Sequence, residues 1–161
     1  MDDVLPAGCT VSVEDAPDPD DVRRVEEGLN AYNDQYAPCF NLRRLAVFLR
    51  DEEGALAGGL VGGTYWGWLY VSDLWIRETQ RRRGWGARVL RAAEEAALAR
   101  GCRHVHLDTM SFQALPFYLK QGYTVFGALE NMPQGQTRYY LKKDLAEPAA
   151  ALSELEPTMG P

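Results

Sequence analysis

The chain has 161 residues, 46% apolar and 25% charged, with 15 glycines, 9 prolines and a formal charge of −6. That length suits one domain and buries enough surface for a core without disulfides or a structural metal, which excludes a collagen-like, wholly disordered or cystine-stapled chain. An acidic total argues against a general nucleic-acid or anionic-membrane binder, which needs a basic face. The charge is unevenly spread, however. Residues 77–103 carry eight arginines against Glu78, Glu94 and Glu95, a balance of +5 that leaves −11 for the rest of the chain. The three cysteines, Cys9, Cys39 and Cys102, match neither a disulfide framework nor a zinc spacing. No secretory pattern opens the sequence and no run of about 18 apolar residues occurs, so the expected setting is the cytoplasm, with no membrane partner.

In chain order, residues 10–14 alternate apolar and polar and predict a first strand. The acidic, proline-broken stretch 15–21 then offers Asp18 or Asp20 as cap of a helix that carries Val22, Val25, Leu29 and Tyr32 and ends by Pro38. Residues 44–50 and 56–65 read as antiparallel strands around a turn at 51–54, and 68–76 as a longer strand after a turn at Trp66 and Gly67. The period changes over 84–100, where Val89, Leu90, Ala93, Ala96 and Ala97 follow a helix closed by Gly101. A strand over 104–108, a short helix over 114–121 and two strands over 123–129 and 137–143 complete the order. The expected organisation is a flexible 1–9, one domain over 10–145 and a disordered tail over 146–161. The fold class is mixed α/β, a largely antiparallel sheet with one parallel strand-helix-strand crossover spanning 68–108.

Between that crossover's first strand and its helix runs Arg81-Arg82-Arg83-Gly84-Trp85-Gly86-Ala87. Glycines allow a sharp turn, a helix start presents unpaired N–H groups and positive dipole, and three arginines add charge, so the loop suits a polyphosphate. A Walker A loop is ruled out because no lysine follows Gly86. A dinucleotide turn fits poorly: Val89 stands at the third glycine position, and seven residues separate strand from Gly84, although Asp108 lies at about the right spacing.

Arg81-x-x-Gly84-x-Gly86 resembles the pyrophosphate loop of the GNAT superfamily of acyl-CoA N-acyltransferases. Downstream, Ser111-x-x-Ala114-x-x-Phe117-Tyr118-x-x-x-Gly122-Tyr123 resembles that family's C-terminal motif, with Ser111 in place of its usual asparagine. The resemblance spans about residues 10–143 and is strongest over 68–129. It implies a GNAT-like fold and acetyl-CoA as acyl donor, with no metal. By the same resemblance the backbone of Arg82, Arg83, Gly84, Trp85, Gly86 and Ala87 cradles the pyrophosphate with Arg81. Leu74, Trp75 and Ile76 flank the pantetheine arm, Ser111, Ala114 and Phe117 complete the cofactor site, and Tyr118 protonates the departing thiolate.

The general base is less evident. The positions where the family often places Glu or His are Ser72 and Tyr70 here, neither of them a base. Asp73 is adjacent; a regular strand points it to the other face, and a bulge would turn it inward. His104, His106 and Asp108 share a strand face but lack a fourth ligand, so polar sheet positions are expected rather than a metal. Tyr32, Asn33, Trp66 and Tyr70 are candidate acceptor contacts. Ten acids against two arginines in the first 36 residues favour a cationic amine. The expectation is an N-acetyltransferase acting on a small amine, with a homodimer allowed by the family. A non-catalytic acyl-CoA binding module and a nucleotide-dependent oxidoreductase remain as alternatives.

Overall fold

The computed structural model describes residues 9–37 and 40–145. Most of the expected flexible N-terminus, Pro38 and the whole expected tail lie outside the described residues. The chain divides into two units, Met1–Phe40 and Asn41–Pro161.

The first unit is built on α1 (Pro19–Asn33). Asp18 caps it, its carboxylate accepting the Asp20 N–H at 2.8 Å, while Pro19 opens the first turn without needing an N–H partner. The helix stops at Asn33, where the Asp34 N–H reaches the Asn30 carbonyl, ahead of the proline expected to end it. The strand expected over 10–14 does not form: those residues carry no ladder, and Val11 and Val13 are exposed. Alternation marks a half-buried strand only where a partner strand takes up its backbone groups.

The second unit is a six-stranded sheet in the order β1-β2-β3-β4-β6-β5. Its strands are β1 (Arg43–Arg50), β2 (Leu56–Tyr65), β3 (Trp68–Ile76), β4 (His104–Met110), β5 (Thr124–Glu130) and β6 (Thr137–Asp144). Every neighbouring pair is antiparallel except β3 and β4, which are joined by α2 (Trp85–Ala99). This mixed sheet with one parallel pair is the fold class the sequence predicts. A short α3 (Leu115–Lys120) follows β4.

The sheet's core face carries Leu60, Leu69, Val71, Val105, Leu107 and Leu141, and α2 lays Val89, Leu90, Ala93 and Ala97 into the same cluster. Each buried Val or Leu contributes about 1.5–3 kcal/mol, several times the helix-propensity differences among these residues. Packing therefore holds α2 in place. Glu94 lies in that buried stripe because it has two partners, Tyr123 Oη at 2.9 Å and Lys143 Nζ at 2.7 Å. The opposite sheet face is aromatic: Trp68 stacks on His104 and Tyr70 on His106, with ring centroids 4.5 and 5.0 Å apart.

Two irregularities shape the site. Val61 pairs with Asp73 but Gly62 pairs with Val71, so Ser72 is an extra residue, a β-bulge in β3. Ser72 Oγ donates to the Val61 carbonyl at 3.0 Å across it. At Gly62 a side chain is impossible without rearrangement, because a Cβ would stand 2.1 Å from the Tyr70 carbonyl oxygen. On the other side of β3, pairing with β4 runs from Trp68 with His104 to Val71 with Leu107 and then stops. Beyond that point the two parallel strands part.

Candidate active site

A cavity of about 870 Å³ opens where β3 and β4 separate. Its size falls in the roughly 300–1,000 Å³ range of ligand clefts. One wall is the unpaired half of β3, including Asp73, Leu74, Trp75 and Ile76; the facing wall is Asp108 and Thr109 of β4. Trp75 is exposed at the rim, whereas Ile76 is buried and belongs to the core. Asp73 reaches the lining just past the bulge, as a bulge in that place would allow.

The floor at one end is the loop into α2. Arg77 anchors its start through Asp51, 2.9 Å away, and the guanidinium holds the Asp51 carboxyl below its ordinary range. Arg81 Nε then donates to the Ile76 carbonyl at 3.0 Å, folding the loop back on the strand. Arg82 and Gly84 both have positive φ, 60° and 80°, and for Gly84 the absent side chain makes that inexpensive. The first bond into α2 runs from the Arg88 N–H to the Gly84 carbonyl. The N–H groups of Trp85, Gly86 and Ala87 therefore precede the helix ladder, at the positive end of its dipole.

Arg81, Arg82, Gly84, Trp85, Gly86 and Ala87 all line the cavity; Arg83 does not. A Cβ at Gly86 would meet the Phe117 ring at 3.5 Å, ordinary contact, so the need for glycine at this helix start is confined to position 84. Arg88 lies over the Trp85 ring, 4.9 Å from its centroid. Free backbone donors, a helix dipole and arginines form a donor set suited to a pyrophosphate, and the cleft continuing from it along β3 suits an extended arm.

The other end is α3. Tyr118 is 6% exposed, wedged edge-on between Phe117 and Tyr123 with centroids 5.1 and 5.7 Å away. Burial, reinforced by the charge of Asp108, pushes its phenol up to about 12. It stays protonated through the neutral range and keeps a proton to donate. Ala114 and Phe117 also line the cavity.

Ser111 is placed differently from the sequence expectation. Its hydroxyl donates to Gln136 Oε1 and accepts the Thr137 N–H at 3.2 Å, and its own N–H bonds the Thr137 carbonyl. The residue thus ties the chain before α3 to β6, and it is absent from the lining. Its neighbours Phe112 and Gln113 line the cavity instead, with Gln113 Oε1 accepting the Met110 N–H at 2.8 Å.

Of the candidate acceptor contacts, Tyr70 faces His106 on the aromatic side of the sheet and Trp66 sits in the β2–β3 turn with φ 46°; neither lines the cavity. Tyr32 and Asn33 close α1 in the first unit, where Tyr32 packs its ring on Tyr36 at 5.1 Å. The three polar residues on the β4 face turn to separate partners. His104 Nδ1 meets Asp144 at 2.8 Å, His106 Nε2 meets Tyr65 Oη at 3.0 Å, and Asp108 accepts from Arg138 Nε at 2.7 Å. Burial lowers the His106 pKa, with Asp108 opposing. Among the described residues no group of three His, Cys, Asp or Glu could hold a metal ion.

Asp108, Thr109, Phe112, Gln113 and Gln121 are lining residues that sequence reasoning missed. For Asp108 the available signal was its place two residues beyond His106, at the predicted end of the crossover's second strand.

The sequence profile described as the Acetyltransferase (GNAT) family matches residues 11–123. An acetyltransferase of Agrobacterium fabrum is 36% identical over 129 residues, covering 80% of this chain and 94% of that protein. The blasticidin-S acetyltransferase of Streptomyces morookaense is 35% identical over 130 residues, covering 73% and 96%. The crystal structure of an acetyltransferase from Bacillus cereus superposes with a TM-score of 0.76 at 28% identity, covering 83% of this chain and 98% of that one. This chain belongs to the GNAT family and is an acetyltransferase.

Proposed function

We propose that this protein transfers an acetyl group from acetyl-CoA to the primary amine of a small molecule, with Tyr118 as proton donor to the leaving sulfur. The observation that carries the reading is the convergence on one cavity of a polyphosphate-type helix start and a buried, protonated tyrosine. The backbone N–H groups of Trp85, Gly86 and Ala87, with Arg81 and Arg82, hold the pyrophosphate. The unpaired edge of β3 from Leu74 to Ile76 offers backbone donors and acceptors to the pantetheine amides. Acetyl-CoA supplies the activated acyl carbon.

Tyr118 then does the acid work. The sulfur leaves with negative charge into a partly enclosed cleft, and a phenol within the cavity can hydrogen-bond that charge and supply the proton that completes the thiol. The relative whose name gives blasticidin S as its acceptor supports a small molecule, and the acidic first 36 residues support one that is cationic. The test is acetyl-CoA-dependent release of free thiol across a panel of amines. Release that requires both acetyl-CoA and one class of primary amine is the expected result. Tight acetyl-CoA binding with no amine-dependent thiol release would sink the reading.

A further inference from the structure

The neutral amine must come from somewhere, because a primary amine arrives at neutral pH as an ammonium ion. Asp73 reaches the lining but is exposed on the open edge of the cavity. Asp108 is better placed. It is the first residue of β4 beyond the parallel ladder, its side chain is only 18% exposed, and it lines the same cavity as Tyr118. Its Oδ2 takes the Arg138 Nε–H at 2.7 Å, while Oδ1 has no protein partner among the described residues. Arg138 also packs on the Tyr140 ring at 5.5 Å, which fixes the guanidinium and so the carboxylate.

We propose that Asp108 is the acceptor-side catalytic residue of this site: Oδ1 pairs with the incoming ammonium and takes its proton, opposite Tyr118. This assignment rests on the acetyl-transfer reading above. Asp108 accepts one proton from the ammonium and the freed amine forms a C–N bond to the acetyl carbon as the C–S bond breaks. Tyr118 gives its proton to sulfur and regains one from the new amide nitrogen, and Asp108 releases its proton to water. The products are the amide, the thiol and one proton.

The charged and titratable groups around the carboxylate are Arg138 and Tyr140 from β6, Tyr140 being the register partner of Asp108, Tyr118 from α3, Tyr70 from β3 beside Arg138, and His106 on β4 itself. Only Arg138 is cationic and bonded to it. A purely structural Asp108 would have its effect through that ion pair and the β4–β6 edge; a proton acceptor leaves a separate signature.

The experiment compares wild type, D108N, D108A and D108E on blasticidin S, tyramine, spermidine and lysine, alongside calorimetric titration with CoA. For the amine that wild type acetylates best, D108N is expected to lose about 100-fold or more in turnover, while CoA affinity stays within about threefold. Removing the charge near Tyr118 should also move the alkaline limb of the D108N profile to lower pH. Added formate should raise D108A turnover, because a free carboxylate can take the missing place. D108N turnover within about threefold of wild type, or CoA affinity falling in step with activity, overturns the assignment. If D108N does not fold, D108E decides: about a tenth or more of wild-type turnover supports it, and under about a hundredth with CoA affinity intact overturns it. A wild type that binds CoA and acetylates none of the four amines defeats the functional reading, and the assignment with it.

Discussion

Strands β3 and β4 lie side by side for four residues and then diverge, and the two halves of this one strand pair have opposite characters. In the paired half, Trp68, Leu69, Tyr70 and Val71 meet His104, Val105, His106 and Leu107, with apolar side chains in the core and rings stacked on the other face. In the parted half, Asp73 to Ile76 and Asp108 to Thr109 have no ladder between them and line a cavity. The paired half supplies stability and the parted half supplies donors, acceptors and room. What separates them is the Ser72 bulge, one extra residue placed opposite a glycine-rich β2. The sheet opens a cavity here by failing to pair in one defined place.

The sharpest way to set the halves apart is Tyr118→Phe. It removes the proposed proton donor, carried on α3, from the cavity that the parted half lines and leaves the rings packed, so kcat should fall by about 100- to 1,000-fold with the acetyl-CoA Kd and the Tm unchanged. Steady-state turnover beside calorimetry checks this. Gly62→Ala strikes the paired half. With the Cβ 2.1 Å from a backbone oxygen, β2 and β3 must shift, at a cost of about 3 kcal/mol or more, read as a lower midpoint in urea. If that variant kept wild-type stability, the bulge would be softer than this comparison requires.

Changing Arg81, Arg82 and Arg83 together to Ala should weaken CoA binding about tenfold at low salt and bring the two proteins together as salt rises. A salt dependence left intact would make these arginines a solvated surface. The smallest effect concerns pH. As the proposed acid, Tyr118 would act while protonated, and burial raises its phenol to about 12, so that function would be lost only as pH rises through that value. Turnover should hold between about pH 8 and 10, where an ordinary tyrosine begins to ionise. The same shift makes the folded state the tighter proton binder: this stabilisation is full below the ordinary phenol value and fades as pH climbs towards 12.

The glycine-arginine loop and α3 were readable because their chemistry is local. Gly84 and the helix stripe from Val89 to Ala97 each announce themselves within a few residues. The crossover likewise follows from the change of period between 68–76 and 84–100. Other features depended on partners distant in sequence. Residues 10–14 alternate as a strand would, yet nothing in their own pattern supplies a ladder. Ser111 occupies a motif position, but the hairpin at Gln136 and Thr137 claims its hydroxyl. Asp108 read as one polar member of a strand face; its difference from His104 and His106 arises where the β3 ladder ends, a property of pairing and not of spacing.

On the proposed function, the parted half of β3 and β4, with the arginine-flanked start of α2, binds an acyl-CoA. The decisive measurement is calorimetric titration of the wild-type protein with acetyl-CoA. One site per chain with micromolar affinity that weakens as salt increases is the expected result. No binding below millimolar acetyl-CoA would rule the site out.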